Sequence, residues 1–353
     1  MPEIDKAKVE QRFDHLFGKV EGAMTCVLAH VGDRLGLYAA LADTGGGTSA
    51  EIADAAGLKE RWVREWLQQQ TAAGIVSHDD GRFFLDEEAT GIYAREESPI
   101  FGAGIFDAVL GLIGTADRLE DSFRTGIGEP YDAFGPLTAR GIERMAGPFF
   151  RTRLTQEVLP SLDGLDEKLR AGAKIADVGC GAGLAAAEMA RAFPACDVHA
   201  FDSSRVALAR ANERAAEHGN LTVHDAMHSR LTEDGSYDLI TTFDSIHDMT
   251  HPAETIAAIR RSLKPDGTWF VADVHGHGSF EDNLQGDGHA GMFYGFSVIC
   301  CMRAALSTPD GAGLGTLGFH EGAARRMSAD AGFTRFTKHD FDNPINDYYE
   351  IRP

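Results

Sequence analysis

The sequence predicts an α/β domain built on a mostly parallel sheet, preceded by a small, largely helical domain. Three observations lead there. From Lys174 onward, apolar strand candidates alternate with amphipathic helical patterns, the rhythm of a parallel sheet covered by helices. Residues 20–98 instead follow the order helix, short helix, longer helix, hairpin. Between the first apolar strand and an alanine-rich helix stands the run Gly179-Cys180-Gly181-Ala182-Gly183. With 353 residues the chain is long enough for more than one core. The expected division is 1–98, 99–160 and 161–353.

In the first segment, Val27, Leu28, Val31, Leu35, Leu37 and Leu41 recur at helical spacing from Met24 to Leu41. Gly45, Gly46 and Gly47 stop that pattern, and Thr48 or Ser49 can cap a short helix, SAEIADAAG, that ends at Gly57. A third helix, KERWVREWLQQQTAAG, carries Trp62, Val63, Trp66, Leu67 and Ala73. Two strand-like pieces, IVSH and RFFL, flank the turn Asp79-Asp80-Gly81. This order is that of a winged helix, whose two uses are DNA binding by the third helix and dimerisation. Over residues 44–97 five basic residues face eleven acidic ones, and the hairpin is the most acidic part. Phosphate backbones are repelled by such a surface, so dimerisation is the expected use.

Residues 99–160 are rich in aromatics and glycine and are broken by Pro99, Pro130, Pro136, Pro148 and Pro160. A helical linker roofing a pocket and a connector whose aromatics simply pack are both open for this segment. The strands expected beyond it are KIADVG, DVHAFD, LTVHDA, YDLITTFD and GTWFVADV, with a terminal hairpin between Phe333 and Glu350.

Composition narrows the function classes. Hydrophobic residues make up 43% and charged residues 25%, which places the chain among globular proteins. A net charge of −21 argues against nucleic-acid partners. The five cysteines, Cys26, Cys180, Cys196, Cys300 and Cys301, form no CxxC pair, so neither a disulfide framework nor a cysteine zinc site is expected. No apolar stretch reaches the roughly 20 residues that cross a bilayer, and the polar start predicts a cytoplasmic protein.

The glycine run carries the chemistry. Its spacing is GxGxG, and Asp177 stands two residues before the first glycine. A pyrophosphate would avoid that carboxylate, whereas a ligand bearing an amino group would use it. Asp202, at the end of the next strand, can accept from two ribose hydroxyls. Asp225-Ala226, at the end of the one after, can receive an exocyclic adenine amine. Each aspartate alone could be a helix cap; three strand ends in register with GxGxG point jointly to a nucleoside ligand.

IADVGCGAG (175–183), Asp202, Asp225-Ala226, YDLITTFDSIHDM (237–249) and LKPDGTWFVAD (263–273) resemble the class I S-adenosylmethionine-dependent methyltransferases. The order of segments is similar to that of small-molecule O-methyltransferases and of actinobacterial winged-helix methyltransferases. The resemblance implies a Rossmann-like, seven-stranded sheet with one antiparallel strand and an N-terminal module that dimerises. Asp177, Gly179, Gly181 and Gly183 would surround the methionine part of S-adenosyl-L-methionine. Asp202 would hold the ribose, Ser203 would flank the adenine, and Asp225 and Ala226 would bind its edge. Phe243 and Asp244 would border the sulfonium, and His247 would be the catalytic base for a hydroxyl acceptor. In place of the family's further acid a few residues on, this chain has Thr250-His251-Pro252. His275, His277 and His289 raise a metal site, but no acid spacing supports it, and none is assigned. The competing readings are a regulator that senses a metabolite or the cofactor, and another transferase using the same cofactor.

Overall fold

The computed structural model describes residues 4–286 and 288–353, so the first three residues of the 1–98 segment lie outside it. The chain forms two compact units. One comprises residues up to Leu110 together with Arg140–Pro148, and the other comprises Gly111–Ala139 and Phe149–Pro353.

In the first unit, α1 (Lys6–Arg34), α2 (Leu37–Thr44), α3 (Ser49–Ala56) and α4 (Glu60–Ala72) precede β1 (Ser77–Asp79) and β2 (Arg82–Phe84). The single helical pattern expected over Met24–Leu41 is two helices. Gly36, at φ +71°, breaks it in a left-handed conformation that an L side chain resists. Thr48 caps α3 in a reciprocal box with Glu51. On α4 the buried face is Val63, Trp66, Leu67 and Gln70, whereas Trp62 is 80% exposed. The face is set by contact with α1: Trp66 Nε1 donates to the Leu28 carbonyl at 2.8 Å. A Cβ on Gly32 would stand 2.2 Å from the Trp66 ring, so only glycine permits that approach. Arg144 joins this unit through Asp33 at 2.7 Å and Asp107 at 3.0 Å.

The second unit is a seven-stranded sheet. Its strands are β3 (Lys174–Val178), β4 (Asp197–Asp202), β5 (Leu221–Asp225), β6 (Tyr237–Phe243), β7 (Leu263–Val274), β8 (Arg335–His339) and β9 (Asn346–Arg352). The order across the sheet is β5-β4-β3-β6-β7-β9-β8, and β9 alone runs antiparallel to its neighbours. β7 starts at Leu263 rather than Gly267. Leu263 pairs with Tyr237, and the register resumes at Thr268 after a bulge.

Adjacent residues feed opposite cores, as the two-residue period of a strand requires. Ile175, Leu239, Phe270 and Tyr348 join one cluster, while Ala176, Ile240, Val271 and Tyr349 join the other. Both faces are therefore covered, which is why the strands read as almost unbroken apolar runs. The segment 111–139 is held to this unit by the buried Arg303, which donates to Thr115 Oγ1 at 2.9 Å and pairs with Glu129. The strand order reverses between β3 and β6, and ligands of open α/β sheets bind outside the strand ends at that point.

Candidate active site

β3 delivers Asp177 to the reversal point. Its side chain is 1% exposed; Oδ1 accepts from Thr241 Oγ1 at 2.9 Å, and Oδ2 has no protein partner. Burial raises this carboxyl to about 7 despite the Thr241 bond. A buried acceptor left open is costly in isolation.

The chain then turns through Gly179, Gly181 and Gly183, all at positive φ. A Cβ on Gly179 would lie 2.5 Å from the Ser245 Cβ, and one on Gly183 would lie 2.9 Å from the Ala211 Cβ. At Gly181 the same position opens on empty space. The loop is thus tight against protein at two glycines and bare toward the cleft at the third.

Asp202, at the end of β4, secures that loop. Its Oδ2 accepts from Gly181 N and its Oδ1 from Ser204 N, each at 2.8 Å. Burial raises this carboxyl too, against those backbone bonds. Each oxygen keeps a further lone pair for a hydroxyl. Ser203 beside it is exposed. Asp202 and Asp225 are direct partners in the β4–β5 register, so two strand ends place both acids on one rim. Asp225 Oδ1 accepts from Met227 N at 2.9 Å, and Ala226 is exposed.

β6 ends in Phe243 and Asp244. Phe243 packs edge-on against Phe150, with ring centroids 4.9 Å apart. Asp244 takes φ +46°, an uncommon conformation for a residue with a side chain. Asn346 Nδ2 donates to its Oδ1 at 2.5 Å and holds it there. Its own surface is exposed.

The turn Ile246–Asp248 follows, with His247 only 3% exposed. His247 Nδ1 lies 2.5 Å from Oδ1 of Asp273, itself 1% exposed and at the far end of β7. Burial works against a charged imidazole here. Asp273 and the adjoining Cys301 thiol outweigh it and hold His247 well above the ordinary histidine range. The structure therefore brings Asp177, the glycine loop, Asp202, Asp225, Asp244 and His247 to one edge of one sheet. The sequence reading missed Asp273 and Thr241. The signal for Asp273 was its place as the last acid of an apolar strand next to β6.

His275, by contrast, hydrogen-bonds Asp347 at 3.0 Å through Nδ1, and its ring meets that of His277 edge-on. Among the described residues, no group of three or more His, Cys, Asp or Glu side chains is arranged to hold a metal ion.

Comparison with known proteins agrees with this geometry. Residues 175–267 match the family model described as a methyltransferase domain, and residues 23–95 match the Rv2258c-like winged HTH domain. A ubiquinone biosynthesis O-methyltransferase of Ralstonia nicotianae is 32% identical over 108 residues, covering 30% of this chain and 44% of that protein. The chain spans about half the length of the curated relatives it matches. Among solved structures, a candidate O-methyltransferase from Nostoc punctiforme superposes with a TM-score of 0.73 at 16% identity, covering 96% of this chain and 98% of that one. Human N-acetylserotonin methyltransferase, solved with S-adenosylmethionine, gives 0.68 at 17% identity, covering 100% and 99%. At these identities the likeness speaks for the fold. The chain is thus a winged helix-turn-helix domain followed by a methyltransferase domain that has the O-methyltransferase fold.

Proposed function

We propose that the protein is an S-adenosylmethionine-dependent methyltransferase acting on a small molecule, at a hydroxyl of an apolar or aromatic acceptor. The observation that carries the reading is the unpartnered Oδ2 of Asp177 under the bare loop at Gly181, because it fits the cofactor's amino group. Asp202 would take the ribose hydroxyls. Ser203, Asp225 and Ala226 would take the adenine, and Phe243 and Asp244 would border the sulfonium. When bound, the cofactor supplies a methyl group on a sulfonium, already activated for in-line displacement.

The chain's own work is orientation, exclusion of water and removal of one proton. Asp273 engages Nδ1 of His247 and so stabilises the imidazolium that forms when the ring takes a proton. An acceptor hydroxyl reaching the ring at Nε2 loses its proton there. The segment 99–160 serves as linker and lid, a role supported by the turn Tyr131–Phe134. Asp132 in that turn accepts from Ser204 Oγ at 2.5 Å, beside the Asp202 strand end.

We read the assembly as a cytoplasmic homodimer. An exposed apolar row on α1, with Phe13, Leu16, Phe17, Val20, Met24 and Val27, is a surface of the kind that second copies cover. The regulator reading has the winged helix in its favour. On α4, however, Arg61 pairs with Glu65 and Arg64 with Glu60, so its cations are engaged by neighbours rather than offered to phosphates.

The deciding experiment is calorimetric titration of S-adenosylhomocysteine into the protein and into Asp202→Ala. Micromolar binding, weakened about tenfold or more in the variant, supports the reading. No binding to the unaltered protein overturns it and leaves the regulator reading ahead.

A further inference from the structure

We propose that Asp132 is a positioning residue: it clasps the tip of a tongue, residues 128–134, across the glycine-loop end of the sheet, so that ligand passes only when its bond to Ser204 opens. In taking that ligand to be the cofactor, the assignment rests on the methyltransferase reading.

The base of the tongue is fixed. Gly128 N donates to the Leu306 carbonyl at 2.7 Å, and Glu129 N donates to the Arg303 carbonyl at 3.1 Å. A Cβ on Gly128 would stand 1.8 Å from the Arg303 carbonyl oxygen, so only glycine admits the contact. Arg303 is 2% exposed; it pairs with Glu129 and lies over the Phe134 ring at 5.4 Å. Phe134 is itself buried in a cluster with Leu112, Cys300 and Ala304. The chain thus leaves residues 300–306 at Glu129 and returns to them at Phe134.

The tip reaches a different place. Asp132 Oδ1 accepts from Ser204 Oγ at 2.5 Å, and its Oδ2 accepts from Arg205 N at 3.1 Å. Ser204 is 4% exposed, and its N–H donates to Asp202 Oδ1 at 2.8 Å. The segments Ser297–Cys301 and Met302–Ala305, which hold the base, pack on the turn Ile246–Asp248 that follows β6. Ser204, by contrast, follows β4. In the sheet β3 lies between β4 and β6. A tongue rooted beside β6 and clasped beside β4 crosses the end of β3, where the Gly179–Gly183 loop begins.

The two attachments differ in kind. The base is buried and joined by backbone bonds, an ion pair and a ring contact, whereas the tip is held by one partly exposed carboxylate. Local opening starts where buried contacts are fewest, so the Asp132 clasp releases while the base holds. A carboxylate on the first amide of a helix makes a charge-assisted bond, which keeps the tongue down between openings.

Hydrogen exchange read by mass spectrometry, on the full chain without ligand, tests the tongue itself. Asp132→Ala should exchange about tenfold faster in peptides covering 130–134 and 179–183, with 346–352 unchanged. Exchange that rises only at 204–208 overturns the proposal, because Asp132 then caps that helix and does nothing more. Surface plasmon resonance with S-adenosylhomocysteine tests the gate. A tongue that must lift for passage slows entry and exit alike, so both rate constants should rise about fivefold or more in the variant while Kd stays within about threefold. Faster dissociation with unaltered association overturns the gate, since that is what simple loosening of the site produces. Asp132→Asn, whose amide oxygen can still accept from Ser204, should fall between the two proteins and takes the place of Asp132→Ala if that variant does not fold. If S-adenosylhomocysteine fails to bind the unaltered chain, the methyltransferase reading falls, and exchange at 179–183 still decides whether the tongue covers the loop.

Discussion

His247 Nδ1 and Asp273 Oδ1 stand 2.5 Å apart at the ends of two neighbouring strands, although 26 positions separate them in the chain. β6 and β7 pair in register up to Phe243 and Ala272, so Asp273, the next residue of β7, meets the turn that follows β6. The carboxylate that the resemblance placed a few residues after the histidine comes from the next strand instead.

Removing the charge at this pair should separate turnover from binding. Asp273→Asn is expected to lower kcat on a hydroxyl acceptor by about a hundredfold or more, because an amide can present the wrong group to Nδ1 and misplace Nε2. S-adenosylhomocysteine affinity should change little, since Asp273 lies away from the glycine loop. Steady-state kinetics with calorimetry on the same preparation checks both halves.

Asp177 gives a pH dependence whose sign follows from its state. Its carboxyl titrates near 7 in the free protein, and a bound ammonium favours the ionised form. Cofactor affinity should therefore be full above about pH 7 and fall as pH drops through it, approaching tenfold per unit. The same raised value means that ionisation destabilises the fold: the cost is absent below the unfolded value, near 4, and is complete above 7. Asp177→Asn is thus expected to bind S-adenosylhomocysteine weakly yet be more stable at pH 8 by up to about 4 kcal/mol. Titrations at several pH values and denaturant unfolding test the two signs.

The glycine loop should discriminate between its own positions. Gly179→Ala brings a Cβ to 2.5 Å from Ser245 at a positive φ, so it should cost stability by about 1–3 kcal/mol and abolish cofactor binding. Gly181→Ala meets no protein atom; its loss of stability should be smaller, with the larger effect on affinity. Comparing unfolding midpoints with calorimetric Kd values for the two variants resolves the difference.

The apolar row on α1 predicts an assembly. Leu16→Glu combined with Phe17→Glu should convert a dimer to a monomer in sedimentation velocity, without lowering the thermal midpoint of the second unit. Both residues are exposed in the single chain, so the substitution removes no core contact. A monomeric unaltered protein would remove the homodimer reading.

What the sequence determined by itself is what short-range patterning encodes. Alternating apolar strands and helices specified the sheet, and GxGxG after an apolar strand marked the sheet edge where the candidate site stands. Asp202 and Asp225 were legible because their strands end where the pattern changes, and parallel strands bring their ends together. Tertiary structure alone decided which carboxylate orients His247 and which face of α4 is buried. Those outcomes depend on register between strands and on close approach between helices, such as α1 against Trp66 at Gly32. Contacts across 26 positions or more leave no periodic trace, because each partner looks locally like an ordinary strand-end acid or an apolar helix residue.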